Sequence, residues 1–297
     1  MTLSELRFIV AVGREKNFRK AADKCFVSQP ALSLAVKKLE DELGIILFER
    51  SRTDVSITQA GQAIINQAII VLDEAEKIKE MAQQGDGQLE KPFKLGLIYS
   101  IAPYLLPLII PLLRNSAPDM PLEIEENITK NLEEKLKKGF IDAAIVALPF
   151  DIPGIEIENL YEEPFVTVVP VKHPWAQKKT IKADLLASEK VLLLDNTHCY
   201  SNQVQEACPG LLKTGEIQGG NSLETIRSMV ASNLGISVLP KSATTLRHVN
   251  PLVKVIQFDK PIPFRKVVLA YRKSSVKKQA LEEVVKSIKK INTSTFN

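Results

Sequence analysis

The sequence predicts an α/β protein in three parts: a small helical unit, one long amphipathic helix, and a doubly wound α/β portion filling the remainder. Three observations predict it. Apolar residues recur at helical spacing through most of residues 1–58, then switch to the two-residue alternation of a hairpin. A seam of apolar and small residues runs through residues 59–84 and stops at Gly85-Asp86-Gly87 and Lys91-Pro92, a linker composition. From Phe93 onward short β-branched runs alternate with amphipathic stretches. With 297 residues, 45% of them apolar, the chain can bury more than one core.

Composition narrows the function classes. Three cysteines are too few for a disulfide scaffold, and FIVAV near Met1 is too short for a signal peptide. The longest apolar run, Ile101 to Leu113, is cut by Pro103, Pro107 and Pro111 and is not expected to span a bilayer. The expectation is a cytoplasmic protein without a membrane partner, in a compartment where a disulfide is a signal and not a brace. A net charge of +4 permits nucleic-acid binding without requiring it.

In the first part, Leu3, Leu6, Phe8, Ile9 and Val12 give one helix and Arg19 to Cys25 a second, whose Ala21-Ala22 pair allows close packing. Ser28 caps a third helix, Pro30 is tolerated within its first turn, and Gly44 ends it. Two helices joined by a tight turn form a helix-turn-helix. LFERSRTDVSIT then alternates as a hairpin with Ser51 to Asp54 at its tip, a wing. Gln29, Ser33 and Lys37 fall at i, i+4 and i+8 on the outer face of the third helix. Glutamine reads adenine, serine either base type, and lysine reaches phosphate. Arg50 and Arg52 on the wing suit backbone or minor-groove contacts. Ten basic against eight acidic residues in 1–58 do not decide between a nucleic-acid surface and ordinary solvated positions.

Gln59 to about Gln84 reads as one helix, with Ile64, Ala68, Val71, Ala75, Ile78 and Ala82 alternating at spacings of four and three. Ile65, Ile69 and Leu72 add a second stripe, and a helix apolar over two faces needs partners. Beyond it, strands are predicted at 93–99, 121–126, 141–148, 163–169, 190–195, 216–218, 235–240, 252–258 and 266–272, with helical patterns at Asn131 to Lys138 and Ser222 to Ser232.

The stretch DNTHCYSNQVQEACPG, residues 195–210, holds Cys199 and Cys208 with His198 beside the first. It suits a helix capped by Asn196 or Thr197 and stopped by Pro209-Gly210. Nine helical steps separate the thiols by roughly 13 Å and place them on opposite faces. A disulfide needs Cα atoms within about 7 Å. The pair therefore either never bonds, as two small buried hydrophobes, or bonds only after the segment refolds. The spacing fits no common zinc site, so no metal and no cofactor is expected. Cys199 lies in the first helical turn, where the macrodipole and free N–H groups favour a thiolate. Cys25 is read as packing, and His173 and His248 as surface residues.

FRKAADKCFVSQPALSLAVKKLEDELGIILFER followed by ITQAG resembles the winged helix-turn-helix of LysR-type transcriptional regulators, with Leu34-Ala35 more apolar than the pair many members carry. The resemblance implies a DNA-binding domain over 1–58, contacting promoter DNA through Ser28, Gln29, Pro30, Ser33, Lys37, Arg50 and Arg52. It implies a dimerisation helix and hinge over 59–91. It also implies a regulatory domain over 92–297 shaped like periplasmic binding proteins, lobe I being about 92–161 plus 264–297 and lobe II about 162–263. The chain would cross between lobes near Tyr161 and Pro263.

IAPYLLPLIIPLL (101–113), HPWA (173–176), LLLDNTHC with Cys208 nine residues on, SLETIRSMVASNLGISVLP (222–240) and FRKVVLAYR (264–272) resemble the peroxide-sensing members of that family. This implies that Cys199 is oxidised by hydrogen peroxide to a sulfenic acid and that Cys208 resolves it as a disulfide. It places His198, Arg265, Ser100 and Thr129 around the peroxide. Ser100 stands where a threonine is usual, and Phe264 replaces the first arginine of a pair. The resemblance further implies a homotetramer assembled through residues 59–84 and the regulatory domains, RNA polymerase as a partner, and glutaredoxin or thioredoxin as reductant. The rival readings are a regulator answering a small organic effector between the lobes, and a thiol peroxidase with a DNA-binding appendage.

Overall fold

The computed structural model describes residues 1–50, 55–82, 88–195, 197–209, 211, 217–245 and 250–291. The chain forms two compact units, Met1–Asp86 and Gly87–Lys137 with Ile141–Asn297, Lys138–Phe140 grouping with the first.

In the first unit α1 (Leu3–Glu15) opens on a capping box, in which Thr2 and Glu5 each accept the other's backbone N–H. Asn17 caps α2 (Phe18–Lys24) by accepting the Lys20 N–H. α3 (Gln29–Leu43) starts at Ser28, carries Pro30 in its first turn, and ends at Gly44, whose φ of +68° is the left-handed conformation glycine adopts without strain. β1 (Phe48–Arg50) and β2 (Val55–Ile57) pair antiparallel, Arg50 opposite Val55. The expected wing tip, with Arg52, lies outside the described residues. The Glu40 carboxylate accepts the Leu47 N–H at 2.8 Å and the Phe48 N–H at 3.2 Å, tying the entry of the hairpin to α3.

α4 (Gln59–Ala82) follows, and residues 83–87 of the expected helix end and hinge lie outside the described residues. Ile65 and Ala68 of α4 close a core with Leu6, Ile9 and Val12 of α1 and Leu32, Val36 and Leu39 of α3. Ile64, Ile69 and Leu72 pack against the same core. The two apolar stripes therefore do not run free along the helix. Its first half is consumed within this unit, while Val71 and, more fully, Ile78 remain exposed beyond it.

The second unit runs β3 (Phe93–Ile98), α5 (Ala102–Ser116), β4 (Leu122–Asn127), α6 (Thr129–Lys137), β5 (Ala143–Ala147), β6 (Ile155–Pro170), β7 (Thr180–Ile181), β8 (Val191–Leu194), α7 (Cys199–Ala207), β9 (Ile217–Gly220), α8 (Leu223–Ala231), β10 (Ile236–Pro240), β11 (Val253–Phe258), β12 (Phe264–Arg272) and α9 (Lys278–Lys290). Strand order is β4-β3-β5-β12-β6-β10-β8-β9, with β11 on β6 and β7 on β11. β3 pairs parallel with β4 and β5, and β8 parallel with β9 and β10. β6 serves both halves: Ile155 to Pro164 pair with β12, and Phe165 to Pro170 with β10 and β11.

Each half has its own core. One gathers Leu95, Leu97, Leu105, Ile109, Ile145 and Leu269; the other Phe165, Leu192, Tyr200, Val204, Ile226 and Val238. α5 answers the question its prolines posed. Pro103 sits in the first turn, and Pro107 and Pro111 lie inside the helix. Spaced four apart, all three face solvent. The carbonyls that lose an N–H partner therefore lie on the wet side, where water replaces it, while Leu105, Ile109 and Leu113 stay buried.

Candidate functional site

The C-terminal ends of β3 and β8, the start of α6 and the neighbouring residues of β12 bring one cluster together around the first turn of α7. Hydrogen bonds that ordinarily begin a helix are completed locally on its approach: Asp195 accepts both the backbone N–H and the hydroxyl of Thr197. Those contacts hold the Asp195 carboxyl below the usual carboxylate range. The helix itself starts one residue later than a Thr197 cap predicts. Its N-cap is His198, without a side-chain cap hydrogen bond; Asn196 lies outside the described residues, and Thr197 is engaged with Asp195. The His198 ring packs edge-on against Tyr99 with centroids 5.6 Å apart.

Cys199 is half-buried at the first position of α7, and its sulfur accepts two hydrogen bonds. The Thr129 hydroxyl, at the first position of α6, donates at 3.0 Å across 70 residues of sequence. The Gln203 side-chain amide, one turn along α7, donates at 3.4 Å. Burial pushes the thiol above its ordinary value, while Thr129, the Arg265 charge, its own backbone N–H and Gln203 pull it down less strongly. The pull toward a thiolate expected of a helix start is thus present but outweighed by burial. Removing a sulfur anion from water costs more than a helix end returns.

Beneath this turn lies Arg265. Its Nη1 donates to Ser100 Oγ at 2.7 Å and its Nη2 to the Ser100 carbonyl at 2.9 Å. Its Nε donates to Glu163 Oε2 at 2.8 Å, and both side chains of that ion pair are 1% exposed. The guanidinium lies 5.4 Å from the Tyr200 ring centre. Tyr200 pins α7 to the second core: its ring meets Phe165 edge-on at 5.7 Å and its hydroxyl donates to the Val238 carbonyl at 3.1 Å.

At the other end of α7, Cys208 is the C-cap and has no exposed surface. Burial alone drives its thiol up to about 12. The two sulfurs belong to different cores: Cys199 packs against the first and Cys208 lies inside the second. All three cysteines are free. Cys25 is the C-cap of α2 and packs against the core of the first unit.

Ser100, Thr129, Cys199 and Arg265 thus meet within one cluster, and His198 flanks it through Tyr99. Sequence reasoning missed Gln203 and Glu163. Gln203 was legible as the i+4 neighbour of Cys199 on one helix face. Glu163 shares the buried phase of β6 with Phe165 and Thr167, an acid at a core position, which is the pattern of a paired carboxylate. His173, read as a surface residue, instead caps a short 3₁₀ turn. Its Nδ1 accepts the Trp175 N–H at 3.2 Å, its Nε2 lies 3.4 Å from Glu189, and its ring meets the Trp175 ring. His248 lies outside the described residues. Among the described residues no group of three His, Cys, Asp or Glu side chains is placed to hold a metal ion, and no helix is long and apolar enough to cross a membrane.

In the first unit, Gln29, Pro30 and Lys37 are exposed on α3 and Ser33 is half-exposed. The Gln29 amide donates to Ser33 Oγ at 3.0 Å, so the two present a joined polar pair. Ser28 is occupied as a cap, accepting the Ala31 N–H. Arg50 ends β1.

Residues 3–62 match the family model described as "Bacterial regulatory helix-turn-helix protein, lysR family", and residues 86–291 that of the "LysR substrate binding domain". The chain is 39% identical over 291 residues to a "Hydrogen peroxide-inducible genes activator" of Haemophilus influenzae, covering 97% of this chain and 96% of the relative. Full-length OxyR of Pseudomonas aeruginosa, solved as a Cys-to-Asp variant, superposes with a TM-score of 0.83 at 48% identity, covering 97% of this chain and 94% of that one. A hydrogen-peroxide-bound mutant of Corynebacterium glutamicum OxyR gives a TM-score of 0.68 at 32% identity, covering 99% and 94%. By its helix-turn-helix, its regulatory unit and these near full-length likenesses, the chain belongs to the LysR family of DNA-binding transcriptional regulators, among its OxyR-like members.

Proposed function

We propose that the chain senses hydrogen peroxide through reversible formation of a Cys199–Cys208 disulfide and so switches transcription of oxidative-stress defence genes. The observation that carries this reading is the Cys199 sulfur. It sits at a helix start with two side-chain donors on it, beside a guanidinium held on Ser100, while its potential partner is sealed in another core.

The Cys199 thiolate attacks one oxygen of the peroxide, the O–O bond breaks, and sulfur is oxidised to the sulfenic acid as the distal oxygen leaves as hydroxide. Thr129, placed 3.0 Å from the sulfur, is the donor nearest to protonate that leaving group, with Ser100 and Arg265 stabilising the developing charge. His198 borders the pocket. Cys208 then attacks the sulfenic sulfur, forming the disulfide and releasing water. An intact α7 separates the two positions by roughly 13 Å along its axis. The helix must therefore unwind, which withdraws Tyr200 from the second core and changes the surface of the regulatory unit.

In this reading residues 1–58 bind promoter DNA through Ser28, Gln29, Pro30, Ser33, Lys37, Arg50 and Arg52. Residues 59–91 join two chains, and residues 92–297 form the redox-sensing domain, with lobe I at about 92–161 plus 264–297 and lobe II at about 162–263. The assembly is a cytoplasmic homotetramer that engages RNA polymerase and is reset by glutaredoxin or thioredoxin. The test is intact mass with thiol alkylation before and after a brief stoichiometric dose of peroxide. The expected result is loss of two hydrogens with a 199–208 crosslink, absent in Cys199→Ser, whose DNA binding survives. A response retained in that variant refutes the proposal.

A second reading rests on a cavity of about 590 Å³ bounded by Leu148, Phe150, Gln203, Phe264, Arg265 and Lys266, a volume suited to a small organic effector. A thermal-shift gain with a metabolite and none with peroxide would favour it.

A further inference from the structure

The reading above gives no task to Glu163, although it is wholly withdrawn from water. It stands directly opposite Arg265 in the β6–β12 register. One carboxylate oxygen takes the guanidinium through Nε at 2.8 Å and Nη2 at 2.7 Å. The other accepts the Ser242 N–H at 3.3 Å, from the turn after β10. The carboxylate is thus fixed at both oxygens, and the guanidinium it holds is fixed in turn on the Ser100 hydroxyl and carbonyl. We propose that Glu163 is a positioning residue for Cys199: by pinning Arg265 onto Ser100 and offsetting its charge, it sets how readily the resting thiol ionises. This rests on Cys199 being the reactive thiol.

The groups gathered around Cys199 and around the Arg265 that acts on it support that assignment. From β12 comes Arg265, and from β6 Glu163 and Tyr161. α7 contributes Tyr200, His198 before its start, and the exposed Glu206 near its end, while α5 contributes Tyr104 and α6 the uncharged Thr129 hydroxyl. Lys266 and Glu206 share the cavity beside Gln203 and lie in solvent. Tyr161 and Tyr200 are pushed well above the ordinary phenol value by burial, and Tyr104 upward also, so all three stay neutral in the neutral range. The Arg265–Glu163 pair is therefore the buried charge balance beneath the sulfur. The Arg265 charge pulls the Cys199 thiol down, yet burial still prevails. A guanidinium without its counter-charge would pull harder.

The experiment follows Cys199 alone, by mass spectrometry of its peptide, as the full-length reduced protein is alkylated across a pH series. Glu163→Gln keeps the shape and one acceptor oxygen for the guanidinium N–H groups, gives up the acceptor for the Ser242 N–H, and removes the charge. The expected result is a profile moved to lower pH, with the neutral-pH rate raised roughly threefold or more. Glu163→Asp, which keeps the charge, should stay near the wild-type profile. An unmoved profile in Glu163→Gln, even with a lowered melting temperature, overturns the proposal, because a purely structural role changes stability and not the titration of the sulfur. Should Glu163→Gln not fold, comparing Arg265→Gln with the double variant Arg265→Gln/Glu163→Gln reads the same quantity. The double variant should titrate at lower pH, and coincident profiles overturn the assignment. Peroxide-driven crosslinking in the wild type is scored separately, so a failure of the sensing reading is distinguishable from a failure of this one.

Discussion

Cys208 contributes nothing to reactivity while it stays where the fold keeps it. Its thiol, raised to about 12, is protonated throughout the neutral range. Brief alkylation of the native reduced protein should therefore label Cys199 and spare Cys208, and denaturant should expose both, as peptide mapping will show. The same burial makes stability depend on pH. The folded value lies above the unfolded one, so the contribution is full below about 9, where a free thiol ionises, and is lost as pH rises through about 12. Thermal melts across that range should fall more steeply for the wild type than for Cys208→Ser. Arg265 is the other residue with a large expected cost. Arg265→Ala would leave the Glu163 carboxylate buried without a partner, a loss of about 3–5 kcal/mol by denaturant titration.

At the scale of elements, α7 is held by the side chains it buries and not by a side-chain cap. Its N-cap lacks a side-chain hydrogen bond, and the hold comes from Tyr200 and Val204 in the second core and the Tyr200 hydroxyl on the Val238 carbonyl. Tyr200→Phe should remove about 1 kcal/mol of that hold. Measured by stopped-flow after a peroxide pulse, the disulfide should then close faster at an unchanged rate of sulfenic acid formation. α7 also shows why some of the site was legible and some was not. The separation of the two cysteines follows from helix geometry acting over nine residues. That Thr129 and Ser100 reach the cluster does not, because those contacts span 70 residues to Cys199 and 165 to Arg265. Only their place in a resemblance pointed to them. β6 was legible in its apolar second half and missed in the first, where Glu156, Glu158, Glu162 and the half-buried Ile155 dilute the alternation.

For the whole molecule, the open question set by α4 is what covers its far half. Ile64, Ile65, Ala68, Ile69 and Leu72 serve the first unit's own core, which leaves Val71 exposed and Ile78 70% exposed. On the proposal that α4 joins two chains, Ile78→Lys should shift the protein toward monomer in analytical ultracentrifugation and weaken DNA binding, while the peroxide response of its cysteines persists. In a second unit whose sheet halves share β6, α7 touches both cores, Cys199 packing against one and Cys208 lying inside the other.

By itself the sequence determined what local physics decides: the caps at Ser28 and Gly44, the helix-turn-helix and its wing, most strands of the second unit, and the incompatibility of an intact helix with a Cys199–Cys208 bond. These depend on backbone geometry and side-chain pattern within a dozen residues. The tertiary structure alone decided the continuous course of β6, the solvent-facing prolines of α5, the elevated resting thiol of Cys199, and the Glu163–Arg265–Ser100 clamp. Each of these is settled by burial and by charges brought together from distant strands, and desolvation has no value until the fold specifies which groups leave water together.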